Sequence, residues 1–269
     1  MDAREALLSV EKIIREHGDS KALNSYFLEF GGRLEVLRLV ERWCARGASM
    51  VDLGAQPFIT SCALKAMGYD VTAVDVEPEP YMPIAERCGV KVVKRDLERE
   101  RLDIHGADCA VFTEVIEHLH YYYVPHVLSE INKSFKPGGY LILTTPNIAS
   151  LFRRLRLLLG KQPIYRYHVR EYTMPEILTM LEEASFKPVE FYYSAVNDLT
   201  YVDAEPEDYK RLRGYADLLK LAIKKPTKLN LLRAAAYPLV KLVPSLRMLI
   251  VAISQKRGEP ISTTIERWG

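Results

Sequence analysis

Six short apolar runs alternate with helix-like segments along most of this chain. The runs are Met50 to Leu53, Asp70 to Val74, Val90 to Val93, Cys109 to Phe112, Tyr140 to Thr145 and Val189 to Tyr193. Helical periodicity falls between them, near 58–67, 80–88, 117–135 and 172–185. This β-α-β alternation constrains the fold more than any other feature, because neighbouring parallel strands need a crossover long enough to hold a helix. It predicts an α/β chain: a Rossmann-like, mostly parallel sheet with helices on both faces. Ligands of such sheets sit outside the C-terminal ends of the strands.

Residues 2–46 carry helical periodicity broken at Gly18 and at Gly31-Gly32, which predicts two or three helices before the first strand. A seventh apolar run, Met248 to Ser254, follows more than fifty residues of basic, apolar and helical character that contain Pro206, Pro226, Pro238 and Pro244. The expected organisation is one domain over 1–269. It has N-terminal helices at 1–47, a core sheet at 48–195 plus 247–256, and a basic helical insertion at 196–246 lying over the sheet edge or the mouth of the site.

The formal net charge of +2 hides an asymmetry. From Tyr209 to Arg247 ten lysines and arginines stand against the single acid Asp217, which leaves the rest of the chain about seven units negative. Anionic partners are expected for that segment. The four cysteines, Cys44, Cys62, Cys88 and Cys109, form no C-x-x-C pair and are expected to be reduced thiols in a cytoplasmic protein. The N-terminus is a charged amphipathic helix unlike a signal peptide, and no run of eighteen apolar residues occurs, so no membrane span is expected.

Acidic residues close the strands in turn. Asp52 precedes Gly54 at the end of the first, Asp75 ends the second, Asp96 follows the third, and Glu114 and Glu117 follow the fourth. A carboxylate ending the second strand accepts hydrogen bonds from both hydroxyls of a ribose. The first of these turns, VDLGAQPFIT, starts as a nucleotide-binding loop and then departs from it. Gln56 and Phe58 stand where further glycines would be, and Pro57 has no N–H.

The stretch VFTEVIEHLHYYYVPHVLSEINKSFKPGGYLILTTPN, Val111 to Asn147, resembles the class I S-adenosylmethionine-dependent methyltransferases, with their E-V-x-E-H helix start and K-P-G-G turn before the fifth strand. The resemblance covers about Val51 to Tyr193 and the final strand, and implies seven strands with the last antiparallel. It implies S-adenosylmethionine as cofactor, with Gly54, beside Asp52 and Ala55, approaching the methionine moiety. Asp75 and Val76 would then meet the ribose, Asp96 and Leu97 the adenine, and Thr113 and Glu114 would border the methyl-transfer cleft. With the glycines missing, Gln56, Thr60 and Ser61 supply substitute polar groups, or the loop belongs to a catalytically silent cofactor-binding or scaffolding homologue.

If a helix starts near 114, Glu114, Glu117 and His118 share one of its faces, and HVREYTMPEI can return His168 to the same surface. Two carboxylates and two imidazoles suit a divalent metal, Mg, Mn or Zn, beside a substrate oxygen. The set resembles the small-RNA 2′-O-methyltransferases, with their E-x-x-E-H and later H-x-x-E-aromatic-T segments, and also the ubiquinone-type O-methyltransferases. The alternative is that Glu117 and His118 cap a helix while His168 orders a lid. His118, His168 or Glu114 is the expected proton acceptor or its neighbour; His17 and His105 are expected at the surface, His120 and His126 in packing or capping roles.

Arg153, Arg154, Arg156, Lys161 and Arg166 precede His168. With the insertion they predict a cationic, apolar rim. Three partners fit it: a small-molecule or lipid-linked substrate with peripheral contact to an anionic membrane through 209–247, an RNA, which the sparse aromatics of the insertion disfavour, or only solvent over a helical cap.

Overall fold

The computed structural model describes residues 1–260. Three helices come first: α1 (Ala3–His17), α2 (Ser20–Leu28) and α3 (Phe30–Trp43). Then follow β1 (Ser49–Leu53), α4 (Ile59–Ala66), β2 (Asp70–Asp75), α5 (Met82–Cys88), β3 (Lys91–Lys94), β4 (Ala107–Thr113), α6 (Val124–Ser134) and β5 (Phe135–Pro146). The chain continues through α7 (Leu151–Leu158), α8 (Met174–Glu183) and β6 (Phe186–Ser194). The insertion holds α9 (Val196–Thr200), α10 (Pro206–Tyr209), α11 (Tyr215–Lys224) and α12 (Lys228–Leu242), and β7 (Leu249–Lys256) closes the described chain.

The seven strands form one sheet in the order β3-β2-β1-β4-β5-β7-β6. The pairings from β3 through β5 are parallel, and β7 runs antiparallel between β5 and β6, as expected. Strands β1 and β4 are almost entirely buried because helices cover both faces, which is why they read as continuous apolar runs. One face carries α1 to α5 and the insertion; the other carries α6 and α8. The sheet order reverses between β1 and β4, so the C-terminal ends of these two strands border the crevice where ligands of such sheets sit.

Local chemistry explains where several elements start. Asp2 caps α1 and exchanges side-chain bonds with the Glu5 turn, and Thr173 with Glu176 does the same for α8. The helix expected from residue 117 begins instead at Val124. Pro125 would cost a hydrogen bond in the interior of a helix begun at residue 117 and instead fits the first turn, so the segment before it is left as a short 3₁₀ turn, Ile116–His118. The K-P-G-G segment lies inside β5 rather than before it. Pairing with β4 is broken between Ala107 and Cys109, and Gly138 takes φ +83° there, a left-handed value suited to glycine.

The insertion buries one face and ties itself to α1. Lys210 Nζ lies 2.9 Å from Glu11, and Tyr215 stacks on Tyr237 at 5.4 Å. Part of its basic charge is met in place: Lys224 pairs with Asp208 at 3.1 Å and Lys225 with Asp203 at 2.8 Å. The acids Asp203, Glu205, Glu207 and Asp208, just ahead of the basic stretch, thus cancel part of the excess counted from Tyr209.

The expectation of four reduced thiols is corrected. Cys44 pairs with Cys109 and Cys62 with Cys88 as disulfides, with Cα separations of 6.2 and 5.4 Å. Helix-on-sheet and helix-on-helix packing brings together residues whose sequence spacing gave no sign of it. Among the described residues no helix is long and apolar enough to cross a membrane.

Candidate active site

The loop after β1 spends its backbone donors on the protein itself. Gly54 and Ala55 both donate N–H to Val74 O, at 2.8 and 3.1 Å, Gln56 N–H donates to Asp75 Oδ2 at 2.9 Å, and Phe58 N–H to Ala55 O at 2.6 Å. Pro57 has none to offer. Phe58 is fully buried at φ 67°, so its ring belongs to the core and not to the cleft. Gly54 is required twice over. Its φ is +67°, and an added Cβ would come within 2.5 Å of Val115 Cγ2, which closes over the loop from the end of β4.

Of the substitute groups expected for this loop, Gln56 and Ser61 are likewise engaged. The Gln56 side chain donates to Glu77 O at 2.7 Å. Ser61 donates to Asp52 Oδ2 at 2.5 Å, and Thr60 is buried. Burial pushes the Asp52 carboxyl up to about 7 against the lowering effect of the Ser61 hydroxyl. What the crevice offers is therefore carboxylate. The two Asp75 oxygens take one N–H each, from Gln56 and Glu77, which leaves further acceptor positions. Asp96 accepts the Glu98 N–H at 2.9 Å, Leu97 is half-buried beside it, and Val76 is exposed.

At the end of β4, Thr113 is half-buried and Glu114 takes φ +56°, outside any helix. Glu114, Glu117 and His118 thus reach the crevice from an irregular turn, not from one helix face. Thr144 Oγ1 donates to Glu114 at 3.2 Å, and Thr145 Oγ1 to Glu117 Oε2 at 2.9 Å. Both carboxyls are held above the ordinary carboxylate range, by burial first and then by neighbouring acids. Arg33, from α3, is a cation that acts on both Asp52 and Glu114, and it is anchored by Ser25 and Glu29.

Glu117, His118 and His168 converge, with one ligand atom of each within 4.8 Å of the others. The backbone secures this: Glu117 O accepts the N–H groups of both Val169 and Arg170, at 2.8 and 3.1 Å. His118 Nδ1 lies 3.1 Å from Tyr167 O and His168 Nδ1 lies 2.8 Å from Glu171 Oε1. These acceptors place a hydrogen on each Nδ1, so that in the neutral form of each ring Nε2 carries the lone pair. Burial and then the neighbouring His168 lower the His118 pKa, which favours the neutral ring. Glu117 is fully buried and its Oε1 has no hydrogen-bond partner among the described residues, a costly arrangement for a carboxyl unless a cation or proton satisfies it.

The sequence pattern of the methyltransferase-domain family matches residues 21–190, more than half of the chain. The chain belongs to the class I S-adenosylmethionine-dependent methyltransferases. Solved structures agree in fold. A methyltransferase of Archaeoglobus fulgidus shares 16% identity at a TM-score of 0.59, covering 88% of this chain and 100% of its own. Phosphoethanolamine N-methyltransferase 2 of Haemonchus contortus, in complex with S-adenosylmethionine, shares 15% at 0.58, covering 93% and 60%. A Thermotoga maritima methyltransferase shares 17% at 0.56, covering 92% and 100%. No curated protein matches the sequence.

The donor set of this methyltransferase suits its cofactor. S-adenosylmethionine carries positive charge at its sulfonium and ammonium groups and presents two ribose hydroxyls, and the strand ends present carboxylates. Sequence reading placed the carboxylates but missed three contributors. Glu171 is buried and bridges His168 to Arg153, which it holds through both oxygens at 2.9 and 2.5 Å. The H-x-x-E spacing was its only signal. Val115 and Arg33 gave none, since one reads as an ordinary apolar residue and the other lies in a helix well ahead of β1. Of the remaining histidines, His17 and His105 are exposed as expected, and His120 pairs with Glu98 at 3.0 Å.

Proposed function

We propose that this methyltransferase transfers the methyl group to an oxygen, a hydroxyl of a small-molecule, lipid-linked or glycan acceptor. The observation that carries the reading is the pair of imidazoles fixed through Nδ1, with both Nε2 atoms directed by those bonds toward proton acceptance or ligation. A hydroxyl is a poor nucleophile until it loses its proton, whereas a neutral amine needs no base of this kind.

In this reading Asp75 accepts the ribose hydroxyls, Asp96 and Leu97 border the adenine, and Gly54 and Ala55 with Asp52 lie along the methionine portion. Arg33 takes the cofactor carboxylate, because the loop amides are already spent. Thr113 and Glu114 line the approach to the sulfonium, whose positive charge favours ionised Glu114. His168, oriented by the Glu171–Arg153 pair, takes the acceptor proton, with His118 beside it. In-line positioning and exclusion of water supply the rest.

The orphaned Glu117 oxygen and the two Nε2 atoms also suit a divalent cation of the Mg, Mn or Zn type, held by Glu117, His118 and His168. Such an ion would lower the pKa of a bound acceptor hydroxyl. This donor set keeps RNA ribose 2′-O-methylation as the second reading.

The test is methyl transfer from labelled S-adenosylmethionine to a panel of hydroxylated lipids, catechols, glycans and short RNAs, with and without chelator and metal return. An O-methylated product supports the proposal. A product methylated on nitrogen overturns it, and an RNA product modified at ribose selects the second reading. Full activity after exhaustive chelation removes the metal.

A further inference from the structure

We propose that the arm from α7 to His168 is a membrane-docking surface that seats the mouth of the active site on an anionic lipid bilayer. Helix α7 has no buried residue, and every residue from 154 to 162 is exposed. Among them Leu157, Leu158 and Leu159 are 65%, 82% and 68% exposed, a degree of apolar exposure that an isolated surface leucine does not explain.

The arm is a built surface. Its polar groups are spent inward: Arg153 holds Glu171 and also Pro163 O at 2.5 Å, and Arg156 Nε donates to Gln162 O at 2.8 Å. These bonds fold the segment of residues 160–167 back onto α7 and leave the leucines outward.

Charge complementarity selects the occupant. No acidic residue occurs between Asn147 and Arg170, and Arg154, Arg156, Lys161 and Arg166 lie around the leucines. The hydrogen bonds of Arg154, Arg156 and Arg166 go to neutral groups, Ala149 O, Gln162 O and the Tyr167 hydroxyl. Among the described residues their charge is therefore uncancelled, unlike that of Lys224 and Lys225 in the insertion. Exposed Tyr165 and Tyr167 stand beside them, amphipathic rings of the kind that settle at lipid headgroup level. Leucines for the acyl boundary, cations for anionic headgroups and tyrosines between them are the composition of an interfacial element.

The surface continues onto α12. Phe152 of α7 lies under Arg233 of α12, 3.8 Å from ring centre to guanidinium carbon, and α12 exposes Leu231, Leu232 and Leu242. Behind the arm, the same Arg153–Glu171 pair orients His168. A bilayer on this face would thus meet the active-site mouth directly.

The test is co-sedimentation of the full chain with vesicles of equal phosphatidylglycerol and phosphatidylcholine, against phosphatidylcholine alone, at low and high salt. The variants are Leu157→Ser with Leu158→Ser, and Arg154→Gln with Arg156→Gln. Partitioning at least tenfold stronger on the anionic vesicles, weakened by salt and reduced at least tenfold in each double variant at unchanged melting temperature, is the expected result. Equal binding to both vesicles, no binding, or variants that bind like the wild type would overturn the proposal. So would a dimer that the leucine variant dissolves without any vesicle binding, or tight RNA binding that vesicles do not displace.

Discussion

His118 and His168 meet edge to face with 4.8 Å between their ring centroids, each held at Nδ1 by a different acceptor. If these rings work on the acceptor, His168→Ala and His118→Ala each lower kcat by roughly 100-fold or more. Binding of S-adenosylhomocysteine, measured by calorimetry, should stay within about threefold of wild type, because neither ring belongs to the proposed cofactor contacts. Equal losses in both quantities would instead show a folding defect.

Asp75 serves the loop and, as proposed, the ribose. Asp75→Ala should weaken S-adenosylhomocysteine binding by about tenfold to 100-fold, the range for removing hydrogen bonds to a charged group. Arg33→Ala should weaken it about tenfold through the lost pairing with the cofactor carboxylate. Calorimetric titration reads both, and an unchanged affinity in Arg33→Ala removes that residue from the cofactor site.

Gly54→Ala forces a Cβ against Val115 at a backbone angle of +67°. A loss of about 1–3 kcal/mol in unfolding free energy is expected from strain and overlap together. Adding Val115→Ala should return the overlap part and leave the backbone part, so a double-mutant cycle by urea unfolding should show a favourable coupling between the two sites.

Asp52 makes stability depend on pH. Its folded-state pKa, about 7, lies above its ordinary value of 3.8 because burial disfavours the charge. The folded protein therefore holds a proton that the unfolded chain has released, and this contribution is fully present below about 4 and is lost as pH rises toward 7. Asp52→Asn keeps an acceptor for Ser61 and removes the titration. Its melting temperature should fall less steeply from pH 5 to pH 8 than that of the wild type, and at pH 8 the variant should be the more stable by a few kcal/mol, roughly. Parallel slopes would refute the assignment.

The sheet and the strand-end acids were legible because both are local. Apolar runs and helical periodicity are properties of short stretches, and a parallel sheet places every strand end on one edge without further information. Asp52, Asp75 and Asp96 could thus be named from the sequence, and so could the antiparallel seventh strand, through the family resemblance.

Packing decided the rest. Whether the VDLGAQPFIT loop offers its amides depends on Val74 and Asp75 of the next strand, and whether Gly54 is open depends on Val115 of the turn after β4. The cysteine pairs, the Glu171 bridge from Arg153 to His168, and the meeting of Glu117 with His168 all join segments separated in the chain. Local pattern carries no record of such partners, because what selects them is the free energy of satisfying buried polar groups once the layers have closed. The sequence by itself determined a methyltransferase fold with acids at its strand ends; the tertiary structure alone decided which donors and acceptors are already spent and which remain for chemistry.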